Sequence, residues 1–118
     1  MSTLFRNFIV LVVALFCCTS AHAYHFVVDG IYYTKTSATE VEVTYKSMAG
    51  NADTYVGHIV VPETVTKAGV TYRVTAIGQM AFYTSANLIS VTLPEGIEKI
   101  GQVAFAICPK LTTVHISS

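Results

Sequence analysis

The sequence predicts a mainly β fold in which an N-terminal β cap of several strands leads into a short array of stacked repeats. Three observations predict it: a six-residue segment that recurs 23 positions later with one substitution, short segments in which apolar and polar residues alternate, and glycine or proline between those segments. The chain of 118 residues is long enough for one domain, and its 7 Lys+Arg balance its 7 Asp+Glu. This balance gives no electrostatic reason to expect nucleic acid or an anionic membrane as a partner.

Residues 1–23 are predicted to be a signal peptide. Arg6 supplies the positive charge, residues 8–18 are apolar without interruption, and Ala21 and Ala23 stand at positions −3 and −1 of a cleavage site. A membrane-spanning helix needs about 20 apolar residues, so an uncleaved anchor is the weaker alternative. We therefore expect a secreted or cell-surface protein, cleaved near Ala23, with no membrane span in the mature chain.

The cysteines raise two possibilities, lipid attachment near the N-terminus and a structural role for the thiol of Cys108. Cys17 and Cys18 raise lipid attachment as an alternative, but Phe16 precedes Cys17 where such attachment calls for a small residue. After cleavage Cys108 is the only thiol, so no disulfide can form within the chain. Cys108 occupies the repeat position of Ser85, and we expect it to be buried as a small structural side chain.

A repeat of 23 residues accounts for the second part of the chain. Residues 77–82 (Ile-Gly-Gln-Met-Ala-Phe) recur as residues 100–105 (Ile-Gly-Gln-Val-Ala-Phe). The same offset relates Leu88 to Leu111, Val91 to Val114 and Leu93 to Ile116. One copy cannot bury its own apolar side, so neighbouring copies must stack. We place two repeats in residues 77–118.

A weaker copy lies upstream. Residues 59–63 resemble residues 91–95, and residues 74–77 return to the register of residues 97–100. We therefore interpret residues 24–76 as an N-terminal β cap that includes a degenerate first repeat.

Two hairpins are predicted inside this cap. Ala68-Gly69 and Asp29-Gly30 each stand between short segments of strand-forming residues. Such pairs favour tight turns between antiparallel strands. A further strand is expected over residues 40–45, where polar and apolar residues alternate.

Each repeat is predicted to hold one strand and one short helical or 3-10 turn. Alternation directs Val91 to one face of its strand and Ser90 and Thr92 to the other. Residues 102–105 follow a glycine and are predicted to form the helical turn, with Phe105 filling the interior of the coil.

These residues resemble the BspA-like leucine-rich repeats of bacterial surface proteins. The pattern I-G-x-x-A-F-x-x-C-x-x-L-x-x-V-x-I-P is carried by residues 77–94 and again by residues 100–116. Residues 24–76 resemble the segment that often precedes such arrays. The chain departs from the pattern at Ser85, where cysteine is usual, and at Ser117, where proline is expected.

The resemblance implies a short right-handed leucine-rich-repeat solenoid that binds or adheres outside the cell and has no catalytic residues. Family members usually carry many copies, whereas two regular copies are present here. Either the chain is part of a longer protein, or a partner covers its last repeat.

No pattern for catalysis or metal binding appears. His25, His58 and His115 stand outside H-E-x-x-H and other zinc spacings, although His58 and His115 take outward positions on successive repeat strands. Glu40 and Glu42 share one strand face, which a solvated surface explains better than acid–base catalysis. We predict no catalytic residue, no metal site and no cofactor.

The predicted function is non-catalytic protein–protein binding or adhesion, with extracellular or host proteins as partners. The candidate binding face consists of the outward positions of the repeat strands: His58, Val60, Ser90, Thr92, Thr113 and His115. One alternative is an N-terminal targeting or spacer part of a larger exported enzyme. The other is a small structural protein that self-associates through its C-terminal repeat.

Overall fold

The computed structural model describes residues 24–47, 51 and 53–117. The predicted signal peptide, with Cys17 and Cys18, lies outside the described residues. The described residues form nine strands: β1 (Phe26–Val28), β2 (Ile31–Lys35), β3 (Glu40–Thr44), β4 (Gly57–Val60), β5 (Thr64–Lys67), β6 (Val70–Ile77), β7 (Leu88–Leu93), β8 (Lys99–Ile100) and β9 (Thr113–Ile116). The predicted mainly β class is confirmed. In this part of the chain no helix is long and apolar enough to cross a membrane.

Both predicted hairpin turns are present. Asp29 and Gly30 join β1 to β2 with φ angles of 51° and 80°, and Ala68 and Gly69 join β5 to β6 with φ angles of 53° and 81°. Two consecutive left-handed residues give a turn whose twist matches that of the flanking strands. Glycine at the second position adopts this conformation without steric cost.

The first sheet gathers the N-terminal strands around β6. Its strand order is β1-β2-β3-β6-β5, and β8 also pairs with β6. The first half of β6 pairs antiparallel with β5, whereas its second half lies parallel to β3 and β8. β1 and β5 are therefore the two edge strands of this path.

The second sheet contains the repeat strands and confirms the predicted register. β4, β7 and β9 lie parallel in that order. Val91 of β7 pairs with Val114 of β9, as the offset of 23 residues predicted, and with Ile59 of β4 on its other side. In the first sheet Ile77 pairs with Ile100. The degenerate upstream copy is therefore in register with the regular ones.

The prediction of a helical or 3-10 turn in each repeat is wrong. The segments between the two sheets are hydrogen-bonded turns, because left-handed residues interrupt them at every fourth position. These residues are Met80 (φ 61°) and Thr84 (φ 55°) in the first repeat, and Val103 (φ 49°) and Ile107 (φ 55°) in the second. A left-handed residue cannot continue a right-handed helix, so each turn ends and a new one begins.

Backbone amides that would donate within a helix donate from one repeat to the next instead. The amides of Met80, Phe82 and Thr84 donate to the carbonyls of Gln102, Ala104 and Ala106, with N···O distances between 2.8 and 3.1 Å. The amides that alternate with these three donate within the first repeat. The amide of Ala81, for example, donates to the carbonyl of Gly78 at 3.1 Å. The turn segments are therefore stacked by backbone hydrogen bonds, as the strands are.

The glycine of each Ile-Gly pair permits this stacking distance. A Cβ atom on Gly101 would lie 2.5 Å from the backbone nitrogen of Gln79 and 2.8 Å from the carbonyl carbon of Gly78. A Cβ on Gly78 would lie 2.9 Å from the carbonyl oxygen of Val43 in the coil before it. Any larger residue would force the backbones apart.

A column of aromatic rings runs through the stacked coils. Phe82 is fully buried, and its ring centroid lies 4.7 Å from that of Tyr55 and 5.2 Å from that of Phe105. The rings of Phe82 and Phe105 are nearly parallel, at 6°. Phe105 is half-buried and packs against the core, as a residue of the coil interior should. The hydroxyl of Tyr55 donates to the carbonyl of Thr44 at 2.6 Å, which fixes the ring at the top of the column.

Asn51 completes the hydrogen bonding of the first repeat. The carbonyls of Ala81 and Tyr83 correspond, at the offset of 23, to those that accept amides in the second repeat. The side-chain nitrogen of Asn51 donates to both, at 3.3 and 2.9 Å. The backbone amide of Asn51 donates to the hydroxyl of Thr84 at 3.3 Å. One buried side chain thus substitutes for two backbone donors of a regular coil.

Candidate functional site

The candidate site is the outward side of the three parallel repeat strands. Strand pairing aligns the six predicted residues in two rows across β4, β7 and β9. One row is His58, Ser90 and Thr113, and the other is Val60, Thr92 and His115. Their strand neighbours Ile59 and Val91 point the other way, and Val91 is fully buried. We call the six residues the strand face.

The strand face is accessible and carries one internal hydrogen bond. His58, Val60, Thr113 and His115 are exposed, whereas Ser90 and Thr92 on the central strand are half-buried. The Nδ1 atom of His58 lies 2.6 Å from the hydroxyl oxygen of Ser90. Neighbouring strands are about 4.8 Å apart, so the two rows form a small flat area of hydroxyl and imidazole groups beside one exposed valine.

The two histidines of the strand face are separated by the central strand. His58 and His115 lie in different rows, on the two strands that flank β7. Among residues 24–47, 51 and 53–117, no three His, Cys, Asp or Glu side chains come together in a group that could hold a metal ion. The arrangement offers hydrogen bonds and apolar contact to a partner.

A groove that sequence reasoning missed continues the strand face beyond the ends of its strands. It has a volume of about 320 Å³, and Val60 and Thr92 form its near wall. Glu63, Pro94 and Glu95 line its far side. The Pro-Glu pairs that follow β4 and β7, at residues 62–63 and 94–95, were the sequence signal for it. The groove adds two carboxylates beside an otherwise neutral face.

Cys108 has a structural environment. It is half-buried, and its thiol donates to the carbonyl of Phe82 at 3.1 Å, across the boundary between the two repeats. Burial raises the pKa of the Cys108 thiol above its usual range, which keeps it protonated and poorly nucleophilic. Its counterpart Ser85 is completely buried, and its hydroxyl has no partner among the described residues.

The comparison with family models decides the family. Residues 62–118 match the model described as "BspA type Leucine rich repeat region (6 copies)". The repeat region belongs to the BspA-type leucine-rich-repeat family. The curated proteins contain no match. The predicted boundary between residues 76 and 77 stays a prediction.

Solved bacterial structures show the same fold. A leucine-rich repeat protein from Bacteroides ovatus is 32% identical with a TM-score of 0.64, over 77% of this chain and 23% of that one. One from Bacteroides capillosus is 29% identical with a TM-score of 0.62, over 78% of this chain and 64% of that one. A leucine rich cell surface protein from Faecalibacterium prausnitzii is 24% identical with a TM-score of 0.63, over 79% and 23%. The chain thus spans about a quarter of the length of two of these proteins.

Proposed function

We propose that this BspA-type chain is a secreted or cell-surface module that binds a partner protein through the strand face and catalyses no reaction. Its stacked strands and turns are the beginning of a right-handed leucine-rich-repeat solenoid that follows an N-terminal β cap. Extracellular proteins are the partner class, as the predicted signal peptide requires. The family match and the bacterial surface protein of the same fold support this proposal.

The observation that carries the proposal is the alignment of six polar or small apolar side chains in two rows. Three parallel strands hold them in register, so their spacing is set by the backbone and costs little side-chain entropy on binding. A typical protein interface uses about 20 residues on each side, so the strand face would be the centre of a larger contact. The groove with Glu63 and Glu95 extends it toward a basic side chain of the partner.

Placing two arginines on the strand face should weaken binding and leave the fold intact. In the variant Thr92→Arg with His115→Arg, the long charged side chains cover one row and repel a basic partner group. Surface plasmon resonance against a panel of immobilised matrix proteins first identifies the extracellular-matrix ligand of the wild type. We expect the affinity of the variant for that ligand to fall at least about tenfold, equal to about 1.4 kcal/mol. The melting temperature should change little, because both sites are on the surface.

The matched control is Thr66→Arg with Thr71→Arg, which adds the same side chains to an exposed strand pair of the first sheet. It should bind as the wild type does. Unchanged binding of the strand-face variant, equal loss in the control, or a wild type that binds no matrix protein would each contradict the proposal. Light scattering at rising concentration checks that the measured species is not a self-associated form.

A further inference from the structure

A second recess lies in the first sheet, away from the strand face. It is an open groove of about 500 Å³ between β1 and the β5–β6 hairpin. Phe26 and Tyr72 form its floor, with ring centroids 5.5 Å apart, and both are almost fully buried. His25, Lys35 and Lys67 line its sides. We call it the basic groove.

The charged groups of the basic groove are all cationic or hydrogen-bond donors. Its lining contains two lysines and one histidine and no carboxylate. The ion pairs of the described residues join Arg73 to Glu40 and to Glu98, and involve neither lysine of the groove. The Nδ1 atom of His25 accepts a hydrogen bond from the amide of Lys35 at 2.9 Å, so the N–H donor of the neutral ring is Nε2.

One of the two ammonium groups is held in position. The Lys35 ammonium nitrogen lies 5.8 Å from the centre of the Tyr72 ring and above its face. A cation–π contact of this kind restrains a lysine without neutralising its charge. The groove therefore presents a positioned positive charge above an apolar floor, which suits an anionic group attached to an apolar chain.

Both edge strands of the first sheet contribute to the basic groove: Phe26 of β1 is part of its floor, and Lys67 of β5 lines one side. β1 and β5 stand at the two ends of the strand order, so each has one side without a strand partner on this path. The alternate amide and carbonyl groups of an edge strand are open to an extended peptide. A glycan would use the lysines but not these backbone groups, so the edges favour a peptide ligand.

We propose that the basic groove binds an extended acidic peptide segment of a partner protein, with carboxylates on Lys35 and Lys67. The site is separate from the strand face, because it lies on the other sheet. The two sites also differ in charge: the basic groove suits an acidic segment, whereas the groove with Glu63 and Glu95 suits a basic one. A module with both sites could hold two segments of one partner or two different partners.

The test uses the purified protein and a fluorescein-labelled peptide of alternating valine and glutamate, followed by fluorescence anisotropy. Binding should weaken with added salt, and the valine–glutamine counterpart should bind at least tenfold more weakly. The variant Lys35→Glu with Lys67→Glu should lose at least tenfold in affinity. The matched control, Lys99→Glu with Lys110→Glu, makes the same change in net charge outside the groove and should bind as the wild type does.

Three results would overturn the proposal. The first is unchanged affinity of the groove variant, and the second is an equal loss in the matched control. The third is binding of heparin, but not of the glutamate peptide, that depends on Lys35 and Lys67, since this would assign the groove to a glycan. Amide chemical shifts that move on β1 and β5 when the peptide is added would support its placement at the strand edges.

Discussion

Replacing Phe82 with alanine should lower the free energy of unfolding by about 3–5 kcal/mol, as the removal of large buried aromatic side chains does in other proteins. Phe82 has no exposed surface and contacts an aromatic ring on each side, Tyr55 and Phe105. The variant loses the buried apolar area and leaves a gap in the middle of the column. Urea denaturation monitored by circular dichroism measures the change.

A loss of that size approaches the whole stability of a small domain, which is about 5–15 kcal/mol. Phe82→Leu is therefore the companion variant, because it keeps most of the volume and should lose clearly less. Phe105→Ala is the matched control, since Phe105 is only half-buried and has one ring neighbour in the column. Equal losses at positions 82 and 105 would contradict the aromatic column as the centre of the core.

Replacing Asn51 with aspartate should cost about 3 kcal/mol at neutral pH, although the two side chains have the same shape. Asn51 is 1% exposed, and its side-chain nitrogen donates to the carbonyls of Ala81 and Tyr83. An aspartate puts a carboxylate oxygen against both carbonyls. Thermal and urea unfolding measure the loss.

The pH dependence of this variant separates electrostatics from shape. Burial beside two carbonyls should raise the pKa of an aspartate at position 51 in the folded state. The folded state then binds a proton more tightly than the unfolded state, so the variant should become more stable, relative to the wild type, as the pH falls toward the unfolded value of about 3.9.

The control for Asn51 is Asn87→Asp. Asn87 is exposed and accepts a hydrogen bond from the Lys110 ammonium at 3.2 Å. An aspartate there keeps the acceptor and gains an exposed ion pair, so stability should change by less than about 1 kcal/mol. If Asn51→Asp were as harmless as Asn87→Asp, Asn51 would not be the donor that completes the first repeat.

The register of the repeats could be predicted because each pairing is an offset in the sequence. Val91 and Val114 are 23 positions apart and lie side by side on parallel strands. The hairpins at residues 29–30 and 68–69 were predictable for a local reason, because glycine at the second position allows the required left-handed turn. The alternation of polar and apolar residues likewise predicted that the strand face lies on one side of the sheet. Its role in binding stays a prediction.

The shape of the turn segments could not be predicted in the same way. Their left-handed residues, among them Met80 and Val103, are not glycine, so the sequence carries no mark of a broken helix. Their conformation is stabilised by hydrogen bonds to the next coil, which exist only after stacking. Residues 102–105 taken alone predict a helical turn, because a prediction from four residues includes no tertiary contact.

Asn51 and the basic groove were missed because neither is periodic. Asn51 is a single residue in a segment without a counterpart in the repeat. Lys35 and Lys67 are far apart in the chain, and only the order of the strands brings them to one groove. The balance of 7 Lys+Arg against 7 Asp+Glu describes the whole chain and does not show which lysines the folded sheet brings together.

The most direct test of the account is whether the two copies lie against each other in register. Nuclear Overhauser effects, which report protons within about 5 Å, should connect the ring of Phe82 with that of Phe105, whose centroids are 5.2 Å apart. They should also connect Val91 with Val114 across β7 and β9. The predicted result is that both sets of Overhauser effects are observed and that the rings and strands are protected from water. Rings that contact water and lack Overhauser effects to each other would contradict the stacking on which the strand face depends.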